Sequence, residues 1–164
     1  MNQNSELVIR EATEADIPAL LGLIRELAEY EKLTHILVAT EEMYREALFG
    51  AKPVAEALIA FDAGKPVGYA IFFHNFSTFL GRAGLYLEDI YVRPETRGKG
   101  VGKKLFATVA RIAKERNCGR YEWCVLKWNT PSIEFYDALG AESMDGWLMM
   151  RLEGDALAKV AQHA

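Results

Sequence analysis

The sequence predicts a mixed α/β (α+β) domain, on three observations. An apolar stripe at helical spacing opens the chain. Its middle is a series of apolar segments of strand length, separated by turn residues. A strand, a glycine-rich loop and a basic amphipathic helix then lead into another strand, which is the pattern of a crossover. The 164 residues are 51% hydrophobic and 26% charged, which suffices for a core and is too apolar for a disordered chain. One domain over residues 1–164 is the expectation, with no linker, repeat or low-complexity stretch to divide it.

Residues 7–10 read as a short first strand. Thr13 then caps a helix, with Asp16 three residues on and Pro18 tolerated in the first turn. Ile17, Leu20, Leu21, Ile24, Leu27 and Ala28 put one apolar face of that helix on a core. A second helix starts at the Thr40 cap and stops near Gly50. Residues 57–61 read as a strand, 62–65 as a turn and 67–73 as the antiparallel return. Residues 84–92 form the next strand. Val101, Leu105, Val109 and Ile112 mark the basic helix. A strand over 121–126, a short helix over 131–139 with Gly140 just beyond, and a closing strand over 147–152 complete the chain.

Composition excludes several classes of function. No run approaches eighteen apolar residues, so a membrane span is not expected, and residues 1–6 lack the basic start and apolar stretch of a secretory leader. Cys118 and Cys124 make no disulfide framework, and His35, His74 and His163 give no zinc spacing with them. A cytoplasmic protein with no metal is the expectation. The net charge of −4 argues against nucleic acid as a partner. Charge is also segregated. Residues 1–50 carry ten acids and four bases, whereas residues 93–120 carry nine bases and two acids. Such a division suits one cationic and one anionic ligand, or simply two solvated helix faces.

Three segments carry candidate chemistry. Arg97-Gly98-Lys99-Gly100-Val101-Gly102-Lys103 lies between a strand and a helix, where exposed amides and the helix dipole attract anions. It is neither a Walker A loop, since only three residues separate Gly98 from Gly102 where four are needed, nor a dinucleotide fingerprint, since residue 103 is Lys. By spacing alone it is an anion site at a helix start or a plain connector. Glu88 and Asp89 interrupt an apolar strand. Strict alternation puts them on opposite faces, at least one of them toward a buried or semi-buried site, as a general base or in a structural salt bridge or cap contact. Tyr136, on the short helix, is either a core aromatic or a proton donor.

Taken together, these segments resemble the GCN5-related N-acetyltransferase (GNAT) superfamily, in the order of its elements and in the loop and Asn129…Tyr136 motifs. Within it the chain is similar to diamine (spermidine/spermine) and thialysine N-acetyltransferases, through residues 26–31, 86–92, Trp128-Asn129 and Asp145-Gly146-Trp147. The resemblance implies a mixed, mostly antiparallel sheet whose splayed strands admit acetyl-CoA, flanked by helices. It implies cofactor contacts at Ile90, Tyr91 and Val92, along Arg97, Gly98, Lys99, Gly100, Val101, Gly102 and Lys103, and at Asn129, Thr130, Pro131 and Ser132. It makes Tyr136 the acid that protonates the departing thiolate and Glu88 the carboxylate that helps deprotonate the amine. Tyr30, Glu31, Glu88, Asp89 and Asp145 would contact a small cationic amine such as a polyamine, a diamine or thialysine. A homodimer is implied as well, and the apolar residues 147–150 fit a covered surface. Asp145 departs from the Glu usual in the spermidine enzymes. The competing functions are a protein N-terminal or lysine acetyltransferase and a non-catalytic acyl-CoA sensor.

Overall fold

The computed structural model describes residues 7–164, so the reading of residues 1–6 lies outside the described residues. The chain divides into two compact units, the first ending at Cys124 and the second running Val125–Ala164.

In the first unit β1 (Leu7–Glu11), β2 (Glu56–Asp62), β3 (Lys65–Ser77), β4 (Arg82–Val92) and β5 (Tyr121–Trp123) form one open sheet in that order. The first four strands are antiparallel neighbours, and β5 joins β4 in parallel. The helices are α1 (Ile17–Tyr30), α2 (Glu41–Phe49) and α3 (Val101–Glu115). A parallel neighbour requires a crossover, and α3 supplies it between β4 and β5.

Alternation along the strands sorts side chains onto two faces. Ile59, Tyr69, Ile71 and Tyr91 pack with Leu20, Leu23 and Ile24 of α1 and Leu48 of α2. The basic helix α3 packs against β3 and β4 and buries Val101, Leu105 and Val109.

Local signals place the elements. The Thr40 hydroxyl accepts from the Met43 amide at 3.3 Å and caps α2, and Gly50 follows its last residue. Asp16 precedes α1 and accepts from Thr13 N and Thr13 Oγ1, each at 2.8 Å, and from both Arg10 terminal nitrogens at 2.6 and 2.9 Å. These contacts, with the Arg10 guanidinium foremost, hold the Asp16 carboxyl well below the usual carboxylate range. The β2–β3 hairpin turns through Ala63 and Gly64, both at positive φ, the geometry whose twist matches antiparallel strands.

The second unit holds α4 (Thr130–Asp137) and α5 (Gly154–Ala161). Two expectations are corrected at this end of the chain. Residues 147–152 are apolar except for Arg151 but form no strand, because among the described residues they pair with no ladder partner. Apolar character measures a tendency to be covered, not a register. For the same reason β5 stops at Trp123 rather than 126. The helix α5 was not anticipated.

Candidate active site

The open edge of β4 defines the site. The parallel ladder pairs Leu85 with Tyr121, Tyr86 with Glu122 and Leu87 with Trp123, then ends. Among the described residues, β4 from Asp89 to Val92 is paired only to β3, so the backbone groups of Ile90, Tyr91 and Val92 on the β5 side have no strand partner there. Phe106, Tyr121 and Trp123 stack where the ladder stops, with ring centroids 4.8 to 5.2 Å apart.

The glycine-rich loop follows this edge. Gly98 and Gly100 both have φ near +78°, a region that a β-carbon disfavours. No neighbouring atom lies within 4 Å of where a β-carbon would sit on either. Gly100 is the N-cap of α3 and has no side chain to cap it, so the amides at 101–103 have no intrahelical acceptor. Open space, exposed amides and a helix N-terminus suit a phosphate-bearing ligand.

Side chains tie the loop to the end of α1. Arg93 donates to both Glu26 carboxylate oxygens, at 2.8 to 3.1 Å, and the Tyr91 hydroxyl donates to Glu26 at 3.3 Å. Arg97 donates from Nε to the Val92 carbonyl at 3.0 Å, and its guanidinium lies over the Tyr30 ring at 5.1 Å and the Tyr91 ring at 5.9 Å. Lys99 reaches Asp62 at 3.6 Å, while Lys103 is solvent-exposed. Arg97 and Lys99 thus have protein partners within the loop's own scaffold.

The acidic pair is arranged differently from the sequence expectation. Phe72 pairs with Leu87 and Ile71 with Asp89, which leaves Glu88 as an extra residue in a β-bulge. Strict alternation therefore fails here, and the two carboxylates are not opposed across the sheet. Both bear on the Tyr44 hydroxyl of α2, whose pKa burial and these charges raise. Glu88 is exposed on the bulge and Asp89 is half-buried beside it. Burial first, then Glu88 and Glu31, push the Asp89 carboxyl up to about 6, and the Tyr69 hydroxyl opposes the shift. Glu31, just past α1, is itself raised by burial. The structure thus brings Glu31, Glu88 and Asp89 into one acidic recess. Tyr44 and Tyr69 also belong to it, and sequence reasoning missed both, because an aromatic at a core position of a helix or strand reads as packing.

The second unit carries the remaining candidates. Asn129 is buried and precedes α4, where its carbonyl accepts from the Ser132 and Ile133 amides at 3.1 Å. Thr130, Pro131 and Ser132 form the first turn of α4. Tyr136 is buried on α4, with the Phe135 ring centroid 5.3 Å away, and burial pushes its hydroxyl up to about 12. Asp145 is exposed in the turn that the Trp147 amide closes onto the Met144 carbonyl.

The chain is similar to known proteins. The profile of the Acetyltransferase (GNAT) family matches residues 23–141. A thialysine N-epsilon-acetyltransferase of Bos taurus is 41% identical over 94% of this chain and 97% of its own. An L-ornithine N5-acetyltransferase of Arabidopsis thaliana is 33% identical over 91% of this chain and 85% of its own. Among solved structures, an integron cassette protein from the mobile metagenome of V. cholerae superposes with a TM-score of 0.80 at 26% identity, covering 95% of this chain and 98% of that one.

Proposed function

The chain belongs to the acetyltransferase (GNAT) family and is an N-acetyltransferase, and from that premise we propose that it acetylates the terminal primary amine of a small cationic substrate of the lysine-like or diamine type. The observation that carries this reading is the open edge of β4 from Asp89 to Val92, flanked by an exposed-amide loop on one side and an acidic recess of Glu31, Glu88 and Asp89 on the other. One part suits a phosphorylated thioester and the other an alkylammonium ion. The thialysine and ornithine enzymes named above act on amino-acid side-chain amines, which favours that substrate shape.

Acetyl-CoA, when bound, supplies an acetyl group activated as a thioester. In our reading the backbone of Ile90, Tyr91 and Val92 holds its pantetheine arm, and the amides from Gly98 to Lys103 hold the pyrophosphate. Residues Asn129 to Ser132 line the same cofactor. A primary alkylammonium has a pKa of about 10.4 and must lose a proton before its nitrogen can attack. Glu88, projected from the bulge, takes that proton. Asp89, Glu31, Tyr30 and Asp145 hold the cation. Tyr136 keeps its proton at neutral pH because burial raises its pKa, so its Oη can protonate the sulfur that leaves.

We read residues 1–164 as one acetyltransferase domain acting in the cytoplasm. We also propose a homodimer. Trp147, Leu148, Met149 and Met150 are 68–85% exposed in the single chain, and such a contiguous apolar strip is normally covered by a partner. A monomeric mass by light scattering at micromolar concentration would reject the dimer.

The reading is tested with acetyl-CoA and a panel of thialysine, lysine, spermidine and putrescine, measuring thiol release. Turnover of at least one amine is expected. No release with any of them would remove the small-amine assignment.

A further inference from the structure

Tyr69 on β3 and Asp89 on β4 are diagonal neighbours on one face of the sheet, since Tyr69 pairs with Tyr91 and Ile71 with Asp89. The Tyr69 ring is fully buried between the sheet and the helices α1 and α2. Its hydroxyl oxygen is sealed from solvent, and among the described residues it makes no well-formed hydrogen bond. It lies close enough to the Asp89 carboxyl for a weak hydrogen-bonding interaction that opposes that group's upward shift, but the two groups make no well-formed hydrogen bond. Core tyrosines normally satisfy their hydroxyls, and phenylalanine would fill the same volume without the penalty. The other groups bearing on Asp89 are Glu88 on its own strand and Glu31 after α1, and Tyr44 of α2 bears on Tyr69. Both charges that act on Asp89 are negative, so the recess is complementary to a cation.

We infer that Tyr69 is a positioning residue for the amine, whose hydroxyl orients the Asp89 carboxylate toward the ammonium group and completes its hydrogen bond when that cation binds. A bound cation offsets the repulsion from Glu88 and Glu31, and the ionised Asp89 then becomes a strong acceptor for the phenol. Hydrogen bonds of this kind often stand open in a free enzyme and tighten in the complex. The inference rests on the amine-acetylation reading and adds a residue that senses the substrate from beneath the carboxylates.

The test compares wild type, Tyr69→Phe, Asp89→Asn and the double variant, using acetyl-CoA with the best amine of the panel. Tyr69→Phe should match or exceed the thermal stability of wild type and keep its KM for acetyl-CoA. Its kcat/KM for the amine should fall about 10- to 100-fold. The acid limb of its pH profile should move to higher pH, because the contact that restrains the Asp89 pKa is gone. In the Asp89→Asn background the same change should cost nothing further. A structural role would instead lower the melting temperature and leave the pH profile in place. Unchanged kcat/KM and pH profile in Tyr69→Phe, with an active wild type, would overturn the inference alone. An inactive wild type on every amine would overturn the underlying reading with it.

Discussion

The two halves of β4 differ in what borders them. Up to Leu87 the strand has β3 on one side and β5 on the other, and its inward residues Leu85 and Leu87 are sealed. Beyond Leu87 it has β3 alone, an added residue at Glu88, and polar side chains directed at a recess. The eleven-residue strand thus changes from a segment paired on both sides to one with an open edge just after Leu87. A sheet makes a binding slot by withholding a neighbour, and the missing ladder bonds become available to a ligand. Substitutions on the two sides of that boundary should therefore report different quantities.

The largest expected effect is on chemistry in the open half. Glu88→Gln should lower kcat by roughly 10²- to 10⁴-fold while changing thermal stability little, because the side chain is exposed. A wild-type kcat would break the comparison by moving the base elsewhere. Next is Leu87→Ala in the paired half. This side chain is 1% exposed, so the change should cost about 2–5 kcal/mol in urea unfolding while the surviving folded protein keeps its KM for the amine.

A third variant sharpens the contrast, because one substitution should move stability and activity in opposite directions. The Asp89 carboxyl titrates near 6 in the fold and near 4 when unfolded, so its contribution to stability is lost as pH rises through about 6. Asp89→Asn should then stabilise the free protein at pH 7.5, on the order of 1–3 kcal/mol, and the gain should vanish below pH 4. Its activity should fall. A destabilised variant at pH 7.5 would show that Asp89 serves the scaffold after all. The smallest effect belongs to the loop. Gly100→Val has to hold φ near +79°, a strain of about 1–2 kcal/mol that the free loop relaxes and the bound loop cannot. The dissociation constant for acetyl-CoA should rise about 5- to 30-fold by calorimetry.

Most of the fold was legible because its signals are local. The Thr40 cap, the turn after Asp62 and the apolar stripe from Ile17 to Leu27 each specify an element without reference to distant residues. What stayed hidden was pairing. The bulge at Glu88 exists only relative to β3, and residues 147–152 failed as a strand for want of a neighbour. The recess was half legible for the same reason. Two adjacent acids in an apolar strand stand out, whereas Tyr44 and Tyr69 gain meaning only when α2 and β3 are brought to Asp89.

The Glu88 bulge also bears on how the protein could lose its activity. Removing that one residue would leave Leu87 opposite Phe72 and Asp89 opposite Ile71, so every downstream side chain would keep its face and the ladder would close without interruption. Deletion of a single codon would thus yield a more regular sheet without Glu88, the residue proposed here as the base. Such a gene product should keep the fold and the loop from Gly98 to Lys103 that we propose holds the acyl donor. On the proposed roles, a catalyst and a dormant relative that only holds the donor would be separated by the shortest in-frame deletion there is.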